Sequence, residues 1–290
     1  MLMSFLAIKL REAKKPCSPV GPNFGRARPV EIILSGTRLK MLVNSHGPSA
    51  GRDDKVEPCE EYNLYDDSLY RTQRSDNEPS RYFLALCRSW GFRGPIFSGY
   101  IAKVNFAVLV QRVKPRREDF SLFNARDFEQ FQLDTLFFEH GNKTENGRNL
   151  YDAPVNWKAV PRLTVPAATF EVLSAPHRGG VRKKIMAFAV EHDICVWLSF
   201  NFDRYVPGNL EEQDQLIFPE PLDEYVQRII DSVELELSES ARKDLLDVRS
   251  KHPDMSLTQV DPIKWTTPEQ DAEWEEYYMD WQERKRLSIR

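Results

Sequence analysis

The side chains best suited to acid–base chemistry in this sequence are its histidines and the carboxylates beside them. His192 stands next to Asp193 and close to Cys195, and this local group has the residue types of a base, an orienting acid and a nucleophile. Adjacent side chains in an extended segment point to opposite faces, so His192 and Asp193 would not act on one substrate. We expect them to form the solvated, polar tip of a hairpin. Glu139 and His140 form a second candidate acid–base pair, but neighbouring residues rarely converge on one substrate, and a simple exposed loop is expected there.

The sequence contains no motif for a metal or a nucleotide. Its four cysteines, Cys17, Cys59, Cys87 and Cys195, form no CxxC pair, and no histidine stands at metal-ligand spacing. A bridge between Cys17 and Cys59 is conceivable only in an exported protein. P-loop, GxGxxG and GxSxG motifs do not occur. We therefore predict no cofactor and no metal site.

The composition is that of an ordinary folded protein of mixed charge. The chain has 290 residues, with 40 Lys+Arg against 44 Asp+Glu and a formal net charge of -4. It is long enough to bury a substantial core, and it lacks the cationic field that holds nucleic acid. No apolar run approaches the roughly 20 residues of a membrane helix. Residues 1–8 are apolar, but the charged residues follow this run, whereas a signal peptide has its basic residues before it. We predict a cytoplasmic protein with no membrane span and no nucleic-acid partner.

Two regions have the composition of a protein-binding surface. One is the acidic insertion, residues 53–70, where carboxylates attract a cationic partner and tyrosines supply contact area at low entropic cost. The other is the aromatic stripe, in which Trp274, Tyr277, Tyr278 and Trp281 recur at helical spacing. A solvated acidic loop, and a stripe docked on its own domain, are the alternatives. The candidate partner-binding residues are Asp53, Asp54, Glu57, Glu60, Glu61, Tyr62, Tyr65, Asp66, Asp67, Trp274, Tyr277 and Trp281.

The elements that must position these residues follow from apolar periodicity and turn signals. Alternating apolar runs about short turns predict strands, and helices are predicted after Pro221, Ser238 and Thr267. We predict an N-terminal segment and arm over 1–29, a main domain over 30–252 with an irregular insertion at 45–81, and a C-terminal segment with the aromatic helix over 253–290. The expected fold class is α+β: an antiparallel β-sheet flanked by helices, with a C-terminal helical extension.

Residues 181–237 resemble a known architecture. Two apolar strands at 185–190 and 196–200, followed by a helix from Asp223 to Asp231-Ser232-Val233, look like the C-terminal half of the α/β fold of PsbP-like proteins. They are also similar to bacterial secretion-associated accessory proteins, including immunity proteins encoded beside type VI secretion effectors. The resemblance covers about a fifth of the chain and brings no catalytic residue with it.

This resemblance and the lack of chemical motifs together favour binding over catalysis. We predict a non-enzymatic protein-binding protein, specifically an immunity protein that neutralises a secreted bacterial toxin by occluding its active site. One alternative is a hydrolase whose site is assembled from distant segments and uses Glu139, His140 or His192. Another is an effector-loading secretion chaperone, which would expose an apolar groove for a partner helix. Oligomeric state is not predicted.

Overall fold

Antiparallel β-sheets form the frame of the protein, and helices cover them. The computed structural model describes residues 12–47, 55–72, 75–95, 99–114, 117–141, 144–145, 148–176 and 178–288. The strands are β1 Arg28–Leu34, β2 Thr37–Val43, β3 Ser80–Arg93, β4 Tyr100–Val113, β5 Thr144–Glu145, β6 Arg148–Asn149, β7 Tyr151–Ala159, β8 Ala167–Ser174, β9 Arg182–Glu191, β10 Ile194–Arg204 and β11 Glu234–Glu236. The α-helices are α1 Ala125–Leu136, α2 Leu210–Leu216, α3 Glu220–Asp231, α4 Glu239–Lys251 and α5 Pro268–Ser288. The predicted α+β class is confirmed.

A six-stranded sheet, in the order β3-β4-β10-β9-β8-β7, lies at the centre of the fold. All of its neighbouring strands pair antiparallel. Residues 185–191 of β9 and 194–200 of β10 are all buried. Strands that are apolar on both sides need a layer of structure on each face of the sheet, and the chain supplies both layers.

Helix α1 forms the first layer. Gln132, fully buried on α1, accepts a hydrogen bond from Trp197 Nε1 at 2.7 Å and faces Cys195 on the same side of β10. Residues 253–266 extend this layer along α1 and β7, since the Thr258 hydroxyl donates to Glu129 and the backbone N–H of Ile263 donates to the carbonyl oxygen of Ala153 at 2.9 Å. The C-terminal segment is therefore packed against the main domain.

Helix α3 and a three-stranded sheet, β1-β2-β11, form the second layer. Aromatic rings join it to the large sheet: Trp90 and Phe92 of β3 meet Tyr225 of α3 edge-on, with 5.2 and 5.7 Å between centroids. The Tyr225 hydroxyl donates to Asn44 Oδ1 at 3.0 Å, so that its one polar group is satisfied inside the core.

The turn between β1 and β2 receives the acidic insertion. Ser35 and Gly36 adopt φ angles of 46° and 85°, as a tight two-residue hairpin turn requires. Ser35 Oγ accepts a hydrogen bond from the backbone N–H of Leu64, and the backbone N–H of Tyr62 donates to the carbonyl oxygen of Ile33 at 2.8 Å. The insertion is thus fastened to the hairpin by backbone contacts.

The predicted hairpins and helices are present, with differences at the edges of the sheets. Strands β7 and β11 and helix α2 are present in addition to the predicted elements. Pro154 and shifts in register interrupt the pattern of β7, which is an edge strand. Among the described residues, no helix is both long and apolar enough to span a membrane.

Candidate functional site

The tyrosines of the acidic insertion divide into two that anchor it and one that is exposed. Tyr62 is buried, its hydroxyl donates to the carbonyl oxygen of Ala85 at 2.9 Å, and its ring lies 5.1 Å from that of Phe83. Tyr70 is also buried, and its hydroxyl donates to the carbonyl oxygen of Leu64, which also belongs to the insertion. Only Tyr65 of the three lies at the surface, 50% exposed. Tyr62 therefore holds the insertion against β3 and is not available to a partner.

Several carboxylates of the insertion are used within the protein. Glu57 forms ion pairs with Lys55 and Arg88, and the Lys55 ammonium is the main cause that lowers the pKa of this carboxyl. Asp66 Oδ1 accepts a hydrogen bond from the backbone N–H of Ser68 and caps a short 3-10 helix, Asp67–Leu69. Such internal contacts reduce the charge that a partner would meet.

Asp67 ties the insertion to the large sheet. Its Oδ1 accepts from Arg81 at 2.6 Å and from Arg112 at 3.2 Å. Glu60 and Glu61 are exposed, and neither forms an ion pair within the part of the chain that the structure describes. Asp53 and Asp54 lie outside that part. Among the described residues of the insertion, Glu60 and Glu61 are therefore exposed carboxylates that a partner could pair with.

The aromatic stripe lies on α5, which begins after the predicted N-cap Thr267 with a capping box. The backbone N–H of Gln270 donates to Thr267 Oγ1, and the backbone N–H of Thr267 donates to Gln270 Oε1 at 3.0 Å. Tyr277 is 51% exposed and Trp281 is 44% exposed, whereas Trp274 and Tyr278 are half-buried. The stripe is thus not fully covered by its own domain.

Ring contacts order the aromatic stripe along the helix. Trp274 lies 5.2 Å from Tyr277, and Tyr278 stacks on Trp281 with 5.9 Å between centroids. Tyrosine and tryptophan lose little conformational entropy on binding, and rings that already pack on one another lose less still. The stripe is therefore a preorganised aromatic surface.

Trp265 holds the base of α5 against the main domain. Its indole ring lies 5.9 Å from that of Phe137, and its Nε1 donates to the carbonyl oxygen of Tyr151 in β7. Gly141 leaves the room for this ring, since a Cβ atom there would come within 2.9 Å of Trp265 Cε3. Helix α5 begins three residues later, so that its origin is fixed.

The two predicted binding surfaces lie at opposite edges of the six-stranded sheet. The insertion contacts β3 through Tyr62, and the segment before α5 contacts β7 through Trp265. Neighbouring strands are about 4.8 Å apart, which places these edges roughly 24 Å from each other. The two surfaces therefore do not form one continuous patch, and each is considered separately.

The two acid–base groups singled out in the sequence, Glu139 with His140 and His192 with Asp193, lie far from each other. His140 Nε2 lies 3.6 Å from Glu139 Oε2, and Lys183, near the start of β9, approaches the same carboxylate. His192 follows the far end of β9, which at about 3.3 Å per residue is roughly 26 Å away. Glu139 and His140 therefore cannot share one site with His192.

The expectation of a solvated tip at the β9–β10 turn is wrong for two of its residues. Glu191 is 2% exposed, and the Asp193 side chain, 8% exposed, accepts from Arg112 Nε at 3.2 Å. His192 alone is half-exposed. The cause is the packing of α4 over the turn, since Ser238, its N-cap, donates to Glu191 Oε1 at 3.4 Å. Cys195 is fully buried, and burial raises the pKa of its thiol to about 12, so it is no nucleophile.

The buried turn brings together groups that are distant in sequence. Burial, followed by the charge of Asp244 on α4, raises the pKa of Glu191 to about 7. One ligand atom each from Glu191, His192 and Asp244 lie within 4.8 Å of one another. Sequence spacing could not indicate this group, because Asp244 lies in α4, the fifth element after the turn.

Two surface pockets lie elsewhere, beside β3. One of about 410 Å³ is lined by residues that include Trp90, Arg93 and Tyr100, and a smaller one of about 200 Å³ by residues that include His46 and Arg88. Neither is lined by Glu139, His140 or His192. These pockets lend no support to a hydrolase built on those three residues.

The chain shows no sequence match that would identify a function. No protein-family model matches it, and no curated protein matches it at a significant level. The resemblance of residues 181–237 to PsbP-like and secretion-associated immunity proteins therefore stays a prediction, and function has to be argued from the surfaces described above.

Proposed function

We propose that this chain is a non-enzymatic protein-binding protein, specifically an immunity protein that neutralises a secreted bacterial toxin in the cytoplasm by occluding its active site. The observation that carries the proposal is the exposed aromatic stripe of α5. Tyr277 and Trp281 leave about half of their surfaces in solvent. Folded monomers seldom expose contiguous aromatic surface, and tyrosine and tryptophan are the residues that most often dominate binding energy at interfaces.

Charge beside the stripe favours a cationic partner. Glu273 is exposed one helical turn before Tyr277 and forms no ion pair among the described residues, whereas Asp280 on the same edge of α5 pairs with Arg284. Arginine and lysine side chains bind to the faces of tryptophan and tyrosine rings and pair with carboxylates. The partner we propose is therefore a toxin whose active-site cleft is lined with basic residues.

The shape of the surface favours an inhibitor over a chaperone. The stripe lies on a single projecting helix, which is the element that enters a groove on a partner. A chaperone that receives a partner helix would present the groove itself. A helix that carries aromatic anchors into a cleft blocks substrate access by shape, without chemistry of its own.

Growth rescue tests the proposed function. The toxin encoded beside the gene for this chain would be expressed from an inducible promoter, with and without this protein. Immunity predicts that cells survive only when the protein is co-expressed. Cell death that is the same with and without this protein would refute the proposal.

A further inference from the structure

We propose that Glu191, His192 and Asp244 bind one divalent transition-metal ion of the zinc type. Their ligand atoms, two carboxylate oxygens and one imidazole nitrogen, lie within 4.8 Å of one another. This site is separate from the aromatic stripe, and the proposal does not depend on the function proposed above.

The fold holds the three ligands on two neighbouring elements. Glu191 is the last residue of β9, His192 begins the turn to β10, and Asp244 lies on α4. Zinc takes oxygen and nitrogen ligands at about 2.0–2.2 Å, so that two of them can stand no more than roughly 4.4 Å apart. Asp244 is exposed and His192 is half-exposed, so rotation of these two side chains closes the remaining distance.

Asp193 supplies an independent indication of a ligand. Its side chain is more than nine-tenths buried, and its Oδ1 has no hydrogen-bond partner within the described ranges. That oxygen lies 3.8 Å from His192 Nε2, while Oδ2 accepts from Arg112. A metal-bound histidine commonly donates its other ring N–H to a carboxylate. With the ion on His192 Nδ1, Asp193 would be a positioning residue whose Oδ1 accepts the N–H of His192 Nε2.

The local charge also favours a cation. Glu191 and Asp244 each have a carboxylate oxygen within 4.8 Å of an imidazole nitrogen of His192, and Asp193 Oδ1 lies 3.8 Å from His192 Nε2, so three acidic side chains lie close to this histidine. A bound divalent ion would offset the repulsion within this group.

The ligand set points to zinc over magnesium or calcium. Imidazole is a ligand that transition metals such as Zn²⁺ prefer, whereas Mg²⁺ and Ca²⁺ bind through oxygen and take more ligands than three. Three protein ligands on a partly exposed edge leave a coordination position for water or for a partner's side chain.

Calorimetric titration with Zn²⁺ tests the proposal, on full-length protein that carries no histidine tag. We expect one ion per chain, with no competition from Mg²⁺. Asp244→Asn and His192→Gln should each weaken binding about tenfold or more, and Asp193→Asn about tenfold, as outer carboxylates do. Asp247→Asn is the matched control, because Asp247 lies one turn further along α4 and pairs with Lys251. It should leave the affinity unchanged.

Two results would overturn the proposal. One is the lack of Zn²⁺ binding by the wild-type protein. The other is binding that Asp244→Asn and His192→Gln leave as it was, which would place the ion elsewhere. Asp244 and His192 both reach solvent, so these variants should fold, and equal circular dichroism spectra without metal would establish that they do.

Discussion

The indole Nε1 of Trp265 donates a hydrogen bond to the carbonyl oxygen of Tyr151 at 3.0 Å, and this contact joins the C-terminal segment to the outermost strand of the large sheet. The two residues are 114 apart in sequence. Since α5 begins three residues after Trp265, this contact fixes the position of the start of the helix that carries the aromatic stripe. The function proposed for the stripe therefore depends on a residue outside it.

Replacing Trp265 should release the C-terminal segment while the main domain stays folded. Trp265→Ala removes both the hydrogen bond to Tyr151 and the ring contact with Phe137. Limited proteolysis followed by mass spectrometry should show faster cleavage between residues 253 and 267 than in the wild type. Trp281→Ala, which removes an equal ring from the stripe, is the control and should not change that rate. Equal cleavage of wild type and Trp265→Ala would contradict the anchoring role.

The insertion should depend on Tyr62 for stability and not on Tyr65. Tyr62→Ala empties a buried site and removes a hydrogen bond, so it should lower the free energy of unfolding by about 3–5 kcal/mol. Tyr65→Ala removes a half-exposed ring and should cost about 1 kcal/mol or less. Urea denaturation measures both. Similar losses for the two variants would show that the division between anchoring and exposed tyrosines is wrong.

A buried ion pair between β8 and β9 should contribute strongly to stability. Arg182 donates from Nε and Nη2 to the two carboxylate oxygens of Glu171, at 3.2 and 3.1 Å, and also pairs with Asp223. Glu171→Gln keeps the shape but removes the charge, leaving Arg182 only partly compensated, and should cost about 2–3 kcal/mol. The exposed Glu234→Gln should change stability by less than about 0.5 kcal/mol. If Glu171→Gln lowered the free energy of unfolding no more than this control does, the ion pair would not contribute strongly to stability.

Glu191 should make the metal-free protein less stable as pH rises towards neutrality. Its pKa is raised from 4.5 to about 7 in the folded protein, so the folded state binds more protons than the unfolded state between these values. Stability falls with pH wherever the folded state binds more protons. Unfolding free energies measured with a chelator from pH 4.5 to 7 should therefore fall more steeply for wild type than for Glu191→Gln. Parallel curves for the two proteins would show that Glu191 keeps an ordinary pKa.

The sequence predicts those parts of the fold in which local pattern and burial agree. The apolar runs at 185–190 and 194–200 indicate strands because both faces of β9 and β10 are buried. The start of α5 is predictable because Thr267 and Gln270 cap it by hydrogen bonds to each other, within four residues of sequence. β7 escapes prediction because Pro154 and irregular pairing with β8 remove its alternation.

The surroundings of the candidate sites are less predictable because they depend on contacts between distant segments. Tyr62 and Tyr65 have the same chemistry in the sequence, and only the packing of the insertion on β3 makes one an anchor and the other a surface residue. The sequence predicts an exposed turn at Glu191 and Asp193, whereas α4 packs over this turn in the fold. The exposure of Tyr277 likewise follows from how the C-terminal segment is held.

The binding constant of the neighbouring toxin for stripe variants tests the central claim most directly. Calorimetry should show that the wild-type protein binds this toxin and that Tyr277→Ala with Trp281→Ala weakens binding by about 30-fold or more, as the loss of a central anchor does. Met279→Ala is the matched control, since Met279 is 67% exposed on the opposite face of α5, and it should bind like wild type. A toxin that does not bind, or a double variant that binds as tightly as wild type, would contradict the claim.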